Sequence, residues 1–350
     1  MRRYTNFILT AFMIVLAAVA GTAIPVDADK KTVGAPASEL TAYTTLPAET
    51  VAVLSEVYER ENNVRVNFVP MNSQEILQKI RDDAVSDPTV VRTVDVVLTD
   101  SKILEQAAAL DLLTPYTSET NDAVRRKFKD EHDRWVGVWY DPIVFCANKD
   151  FLRSTVYIPD TWDKLAKATN LRIGITDFLA ADASVNLLSQ MIVNFGDAKT
   201  FEILAGIHPK VVQYAKYLAN PVRQAGMGEV DISVAVESET LRYLNNGYPL
   251  KVIYPADGTS WLLTGCAITT SDAKKQLVAA KFSDWLLGDE AQIYLQTNGF
   301  YFVPTNPQTL AYKSFAGKNL SLLDREKTLS PEQQRFFLDR WINAVRLKGI

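Results

Sequence analysis

The sequence predicts an α/β fold built around parallel strands. Apolar, β-branched runs alternate with amphipathic helical patterns between residues 40 and 109, and the same alternation returns between residues 171 and 287. A helix between consecutive strands implies a right-handed crossover and parallel neighbours in the sheet. Apolar residues make up 47% of the 350-residue chain and charged residues 22%, which is typical of a folded protein and not of a disordered one.

The N-terminal residues have the layout of a secretory signal peptide. A basic head at Arg2 and Arg3 precedes the apolar run Phe7–Ala20, and small residues follow it. An uncleaved membrane anchor is the alternative, but the run is shorter than the roughly 20 residues that a spanning helix needs. No cysteine lies nearby to carry a lipid. We therefore expect a signal peptide over residues 1–23, then a linker over residues 24–38, and an exported chain without a lipid anchor.

Three strand–helix units follow the linker. Each predicted strand is a short apolar run, and each helix shows apolar residues at helical spacing with charged residues between them. The predicted strands are Leu40–Tyr43, Val64–Val69 and Val94–Thr99, and the predicted helices are Val51–Tyr58, Gln74–Val85 and Lys102–Ala109.

Polar residues stand where these strands end. Ligand sites in parallel sheets lie beyond the carboxyl ends of the strands, and the helices that begin there attract anionic groups through free N–H groups. Capping of those helices is the ordinary structural role of the same side chains. The candidate ligand-binding residues from this half are Tyr43, Thr44, Thr45, Ser73, Asp100 and Ser101.

The second half begins with a long apolar, β-rich stretch, Trp135–Asn148, which Pro142 interrupts. The strand–helix alternation then resumes. The predicted strands are Leu171–Thr176, Val230–Val236, Leu250–Tyr254 and Leu262–Ile268, and the predicted helices are Val185–Phe195, Ser238–Asn246, Ala273–Leu287 and Pro331–Leu347. The candidate ligand-binding residues from this half are Trp139, Tyr140, Asp177, Ser184, Glu237, Asp257 and Trp261.

Composition and motifs exclude several classes of function. The net charge is −4 and no basic face is evident, which argues against nucleic-acid binding. The chain has no G-x-S-x-G, H-E-x-x-H or P-loop motif. His132 and His208 are the two histidines, which disfavours a multi-histidine metal site and histidine-dependent catalysis. We expect no catalytic residues, no metal site and no cofactor.

The order of these segments resembles the bacterial extracellular solute-binding proteins of the two-lobed, type II kind. The closest subgroup comprises the receptors for ferric iron, phosphonates, hexose phosphates and thiamine, so the chain resembles an iron transport family. The stretches that carry the resemblance are LTAYTTLPAETVAVLSEVYERENNVRVNFV (Leu40–Val69), VDVVLTDSKILEQAAALDLLTPY (Val94–Tyr116), WVGVWYDPIVFCANKDFL (Trp135–Leu152), PDTWDKLA (Pro159–Ala166), VIYPADGT (Val252–Thr259) and GCAITTSDAKKQLVAAKFSDWLLGDEAQIYLQTNGFYFVPTN (Gly265–Asn306).

The resemblance implies two doubly wound lobes joined by two crossover strands. Lobe 1 is expected over residues 39–144 and again, with the C-terminal helices, over residues 269–350, and lobe 2 over residues 145–268. Such a receptor is a monomer that closes around a small molecule or ion and delivers it to an ABC permease in the inner membrane. Without a lipid anchor it is expected in a periplasm. A secreted enzyme on the same two-lobed fold is the alternative from another class.

Cys146 and Cys266 fall on the two crossover strands that the resemblance implies. Neighbouring strands can bring two cysteines within the roughly 5.5–6 Å between Cα atoms that a disulfide needs. A disulfide and two buried free thiols both remain open.

The resemblance leaves the ligand open. Ferric-iron receptors of the family use a tyrosine pair, and the matching positions here are Ser238 and Glu239, so iron binding needs a different oxygen site. A phosphorylated or phosphonate ligand could use the strand-end hydroxyls. A polyamine or thiamine could use the aromatic residues as cation–π walls. The strand-end loops contain more acidic than basic residues, which slightly favours a cationic ligand. Those acids are Asp100, Asp141, Asp177, Asp182, Glu237, Glu239 and Asp257.

Overall fold

The computed structural model describes residues 36–347, apart from residues 86–92, 319 and 326. The predicted signal peptide and most of the predicted linker lie outside the described residues. The strands are β1 Ser38–Thr44, β2 Val64–Pro70, β3 Val96–Asp100, β4 Val136–Asn148, β5 Ile173–Thr176, β6 Val211–Ala215, β7 Ile232–Val236, β8 Leu250–Ile253, β9 Trp261–Ile268 and β10 Val303–Pro304.

The helices follow the strands in the expected alternation, and short ones cap several loops. A 3₁₀ turn, Arg126–Phe128, precedes β4, and a π-helical turn, Ile342–Arg346, follows the last helix. The helices are α1 Ala48–Asn62, α2 Ser73–Val85, α3 Ser101–Ala109, α4 Glu119–Ala123, α5 Lys149–Ser154, α6 Trp162–Lys167, α7 Asp182–Phe195, α8 Asp197–Ile207, α9 Ala219–Gly226, α10 Glu237–Asn245, α11 Ala273–Leu286, α12 Asp289–Thr297, α13 Leu310–Phe315 and α14 Pro331–Trp341.

The sheet contains two parallel groups joined by two antiparallel strands. Its order is β2-β1-β3-β9-β4-β7-β5-β6, with β8 and β10 also paired to β4. β1 is parallel to β2 and β3, and β5 is parallel to β6 and β7. β9 is antiparallel to both β3 and β4, and β4 is antiparallel to β7. The predicted α/β class with two crossover strands lying side by side is confirmed, with β4 and β9 as those strands.

Two hydrophobic cores form on either side of the middle of β4. Val136–Tyr140 belong to the first core with the strands around β1, while Ile143, Phe145 and Ala147 belong to the second core with the strands around β5. A smaller cluster, which includes Val222, covers the opposite face of the second group of strands. The separation of the cores supports the proposed lobe boundary near residue 144, which stays a prediction.

The C-terminal helix packs against a different core from the one that we expected. Trp341 and Val345 are buried in the second core, whereas we had assigned all of residues 269–350 to the first lobe. The ring of Trp341 packs edge-on against Phe178 and Tyr214, at centroid distances of 5.0 and 5.6 Å. The apolar face of a helix shows that the helix is packed but not which core receives it. The chain therefore returns to the second core after Leu322, which packs on the first core, since Leu329 already packs on the second; this is its third passage between the cores.

The two cysteines are free thiols, so a disulfide between them is wrong. Cys266 lies opposite Val136 on β4, and Cys146 stands ten residues further along that same strand. Ten residues of strand span roughly 33 Å, far beyond the reach of a disulfide. Of the two alternatives that the sequence left open, two buried free thiols is the one confirmed, because adjacency of two strands does not place particular residues at the same height along them.

We expect both thiols to be inert in the native protein. Burial raises the pKa of Cys146 and of Cys266 to about 12, and a thiol rather than a thiolate is a poor nucleophile. A thiol reagent such as DTNB should therefore label neither cysteine in the native protein at pH 8, and two per chain after denaturation without reductant. Rapid labelling of one native cysteine would contradict this account and would revive the enzyme alternative.

Candidate ligand-binding cleft

A cleft of about 360 Å³ lies between the two hydrophobic cores. The loops after β1, β3 and β7 open onto it, the crossover strands β4 and β9 form its base, and the segment between α12 and β10 closes one side. The residues that line it are Thr45, Leu46, Pro47, Glu49, Thr50, Asp100, Trp139, Asp141, Asp182, Ala183, Leu218, Val236, Ser238, Glu239, Arg242, Leu262, Thr264, Gly299, Phe300 and Phe302.

Aromatic rings form the apolar wall of the cleft. The indole of Trp139 stacks on the ring of Phe302 at a centroid distance of 5.3 Å and an interplanar angle of 13°. Phe300 lies beside them on the same wall. Gly299 has a φ of 86°, in the left-handed region that favours glycine, and it turns the chain from the end of α12 toward these rings. The wall therefore depends on a segment far in sequence from β4.

Negative charge dominates the polar lining. Five carboxylates line the cleft, and one guanidinium accompanies them. The Arg242 guanidinium donates to Oε2 of Glu239 at 2.5 Å, so the positive charge in the cleft is already partly neutralised. A cationic ligand would meet excess negative charge here. The carboxylates are those of Glu49, Asp100, Asp141, Asp182 and Glu239.

Asp141 is the carboxylate whose titration the structure perturbs most clearly. The hydroxyl of Ser238 donates to its Oδ2 at 2.5 Å, and the backbone N–H of Ser238 donates to its Oδ1 at 3.0 Å. The pKa of Asp141 is raised to about 7, chiefly by burial and also by the nearby carboxylates of Glu237 and Glu239, while the two hydrogen bonds from Ser238 oppose that rise. A cation in the cleft would favour the ionised form of this carboxyl.

Asp100 combines a capping role with a place in the cleft. Its Oδ1 accepts a hydrogen bond from the backbone N–H of Lys102 at 2.7 Å, at the start of α3. Burial raises its pKa, and the positive charge of Arg325 opposes that rise. The side chain of Asp100 therefore caps α3 and also lines the cleft.

Three of the predicted ligand-binding residues line the cleft: Thr45, Asp100 and Trp139. The hydroxyl of Thr45 lies 3.2 Å from that of Thr99, which orients it at the end of β1. The rule that ligands bind beyond the carboxyl ends of parallel strands located Thr45 and Asp100. Trp139 was nominated as an aromatic residue beside polar loops.

The other candidates from the first half make contacts within the protein. The buried hydroxyl of Thr44 accepts from the backbone N–H of Leu46 at 3.0 Å, and the hydroxyl of Tyr43 lies 3.2 Å from that of Thr93. Ser73 is the first residue of α2 and lies outside the cleft lining.

Ser101 and Trp261 contact residues of the segment in which the chain passes from the first core to the second for the last time. The hydroxyl of Ser101 accepts from the guanidinium of Arg325 at 2.6 Å, and that guanidinium lies over the indole of Trp261 at 4.8 Å. Nε1 of Trp261 donates to the carbonyl oxygen of Leu323 at 2.9 Å. Both side chains stabilise this connection, and neither lines the cleft.

Three candidates from the second half lie at helix starts or in a turn. The carboxylate of Asp257 accepts from the backbone N–H of Trp162 at 2.9 and 3.1 Å, at the start of α6. Asp177 accepts from the backbone N–H of Leu179 at 3.0 Å. Ser184 is buried in the first turn of α7, just after the two residues of that turn that reach the cleft.

Tyr140 and Glu237 lie on the reverse side of β4. Successive side chains of a strand point to opposite faces, so Trp139 and Asp141 face the cleft while Tyr140 faces away. The fully buried carboxylate of Glu237 accepts from Nζ of Lys318 at 2.9 Å and from the hydroxyl of Tyr254. Ser238 and Glu239, which follow Glu237 in sequence, do line the cleft. The family resemblance pointed to these two positions, because they align with the tyrosine pair of the iron receptors.

No group of three or more histidine, cysteine, aspartate or glutamate side chains is placed to hold a metal ion within the described part of the chain. Among the helices of residues 36–347 that the structure describes, none is long and apolar enough to cross a membrane.

Sequence comparison relates the chain to one family. The model of a family described as bacterial extracellular solute-binding protein matches residues 54–318. An uncharacterised protein of Haemophilus influenzae strain Rd is 27% identical over 253 residues, which are 69% of this chain and 73% of that protein.

Solved periplasmic binding proteins share the fold. The protein AfuA from Actinobacillus pleuropneumoniae, with exogenous fructose-6-phosphate bound, has a TM-score of 0.68 at 22% identity over 89% of this chain and 99% of its own. The apo ferric ion-binding protein A of Pasteurella haemolytica has a TM-score of 0.70 at 17% identity over 88% and 98%. The ferric binding protein from Campylobacter jejuni has a TM-score of 0.65 at 20% identity over 89% and 98%. These likenesses establish the type II periplasmic binding protein fold that the sequence predicted.

Proposed function

The chain belongs to the bacterial extracellular solute-binding protein family, and from that premise we propose that it captures a small cationic organic solute in its cleft. Proteins of this family bind small ligands and deliver them to ABC permeases. We propose the same delivery here, with no chemical change to the ligand. The cationic class of the ligand is what the cleft itself adds to the family assignment.

The charge of the cleft is the observation that carries the proposal. Five carboxylates face a space of about 360 Å³, while its single guanidinium is paired with one of them, Glu239. The same cleft also offers the rings of Trp139, Phe300 and Phe302. A cation beside carboxylates and over aromatic faces gains attraction from both, and the gain is larger where water is excluded.

The position of the cleft between two cores supports a closing motion. Residues of the first core, such as Leu46, line one side, and residues of α10, such as Ser238, line the other. A ligand that contacts both sides binds more tightly when they approach each other, so binding shifts the equilibrium toward a closed form. A permease can then distinguish loaded from empty receptors by shape.

Anionic ligands fit this cleft less well. The fructose-6-phosphate named for the related AfuA structure carries a phosphate, which would meet five carboxylates here. Ferric iron would lack the tyrosine pair that the family resemblance implies, since Ser238 and Glu239 occupy those positions. Both ligands are therefore included in the test as representatives of the alternative ligand classes.

A thermal-shift panel tests the proposal. Spermidine, thiamine and choline represent cations, and fructose 6-phosphate, methylphosphonate and ferric citrate represent the alternative ligand classes. A ligand at 100 times its Kd adds about 2.7 kcal/mol to the free energy of unfolding, which is a measurable rise in Tm. We expect at least one cation to give this rise and the alternative ligand classes to give none.

Matched variants link the shift to the cleft. Glu239→Gln should weaken the binding of the active cation about tenfold, since it removes a carboxylate from the site. Glu56→Gln alters an exposed carboxylate on α1, away from the cleft, and should leave binding unchanged. Stabilisation by anions alone, or equal effects of the two variants, would contradict the proposal.

A further inference from the structure

A second cavity lies on the reverse side of β4 from the cleft. It has a volume of about 300 Å³ and is bounded by the 3₁₀ turn Arg126–Phe128, by β4 and β10, and by α13 with the residues that follow it. Tyr140, one residue from the cleft residues Trp139 and Asp141, lines this cavity instead. The two cavities share a strand but not a lining residue.

Three cationic side chains converge on this second cavity: Arg125, Lys127 and Lys318. Nζ of Lys318 is paired with Glu237 at 2.9 Å. The charged groups of Arg125 and Lys127 lie over aromatic rings, and neither has a carboxylate partner within ion-pair distance in the part of the chain that the structure describes. Burial and the neighbouring charge of Arg125 lower the pKa of Lys127, so the ammonium of Lys127 is repelled by the guanidinium of Arg125. An anion placed between them would relieve that repulsion.

Aromatic rings accompany each of these charges. The guanidinium of Arg125 lies 5.9 Å from the ring centroid of Tyr312, and Nζ of Lys318 lies 3.9 Å from that of Phe315. Tyr140 stacks on Phe128 at 5.3 Å with an interplanar angle of 13°. The cavity thus offers flat apolar surfaces next to hydrogen-bond donors, a combination that suits a planar anion.

We propose that this cavity binds a small organic carboxylate that carries a flat apolar group. The planar guanidinium of Arg125 can hold a carboxylate through two parallel hydrogen bonds, and the ammonium of Lys127 can add a third. The rings of Tyr312 and Phe315 would contact the apolar part of the ligand. The volume lies at the lower end of the range for small-molecule pockets, which limits the ligand to about the size of benzoate. The site does not depend on the proposed cation binding in the cleft.

Calorimetric titration of the folded chain with sodium benzoate tests the proposal, at constant ionic strength so that screening does not vary. Arg125→Gln with Lys127→Gln should weaken benzoate binding at least about tenfold, because both charged donors are lost. Lys313→Gln is the matched control, since Lys313 is an exposed cation on α13 outside the cavity lining. It should leave the affinity within about twofold of the unaltered chain.

Further outcomes separate this site from the cleft. Benzoate affinity that stays unchanged in Glu239→Gln supports the second site, whereas a rise in affinity in that variant, which frees the Arg242 guanidinium, would place the carboxylate in the cleft and overturn the proposal. Absence of benzoate binding at millimolar concentration also overturns it, as does an equal loss in Lys313→Gln. Inorganic phosphate that binds as tightly as benzoate would show a general anion patch and would contradict the role of the aromatic rings.

Discussion

Replacing Trp139 with alanine is expected to lower the free energy of unfolding by about 3–5 kcal/mol and to abolish cation binding in the cleft. The side chain is 1% exposed and stacks on Phe302, so its removal leaves a cavity at the junction of β4 with the segment before β10. The same change removes the ring that holds the more exposed Phe302 in the aromatic wall. Urea unfolding monitored by circular dichroism measures the first effect, and the cation panel measures the second.

Trp139→Phe is the matched control. Nε1 of Trp139 is buried and has no hydrogen-bond partner among the described residues, so phenylalanine loses no hydrogen bond and keeps a ring to stack on Phe302. We expect this variant to lose less than half of the stability that the alanine variant loses and to retain cation binding. An alanine variant within about 1 kcal/mol of the unaltered protein would show that the stack contributes little.

Asp141→Asn is expected to become increasingly more stable than the unaltered protein as the pH rises from 4 to 7. The folded-state pKa of about 7 lies above the ordinary pKa of 3.8 for an unfolded aspartate, so the folded chain holds this proton more tightly. The stabilising contribution of the protonated form is fully present below the unfolded pKa and is lost as the pH rises through the folded pKa. Asparagine never ionises and avoids that loss.

The difference in unfolding free energy should grow by up to about 1.4 kcal/mol per pH unit in this window and level off above pH 7. Urea unfolding at pH 5, 6, 7 and 8 measures it. Asp111→Asn serves as the control, because the Asp111 side chain is 96% exposed and its φ of 54° is one that asparagine tolerates. Curves for Asp141→Asn that run parallel to those of the unaltered protein would contradict the perturbed titration.

Local patterns in the sequence were sufficient for most of the fold. The predicted strand and helix around Leu40 and Val51 correspond to β1 and α1, because apolar spacing reports which face of an element is buried. The destination of the C-terminal helix was not predictable in this way. On sequence grounds, the apolar face of the helix that carries Trp341 could pack on either core. Only tertiary packing selects the second core.

The cleft was predicted in outline but not residue by residue. Strand-end rules found Thr45 and Asp100, yet the hydroxyls of their neighbours Thr44 and Ser101 make contacts outside the cleft, because successive side chains alternate along a strand and diverge where a strand passes into a loop or helix. The same alternation separates Trp139 from Tyr140 on β4. Phe302 carried no local signal at all, because it reaches the cleft from a segment more than a hundred residues later in the chain.

Small-angle X-ray scattering with and without the cation identified by the thermal-shift panel tests the central claim most directly, because it asks whether the cleft shuts on a positively charged solute. We expect a saturating concentration of that cation to reduce the radius of gyration of the unaltered protein and to leave that of Trp139→Ala unchanged. Fructose 6-phosphate should have no effect. A cation that binds without compaction, or compaction produced by the phosphate instead, would contradict the account.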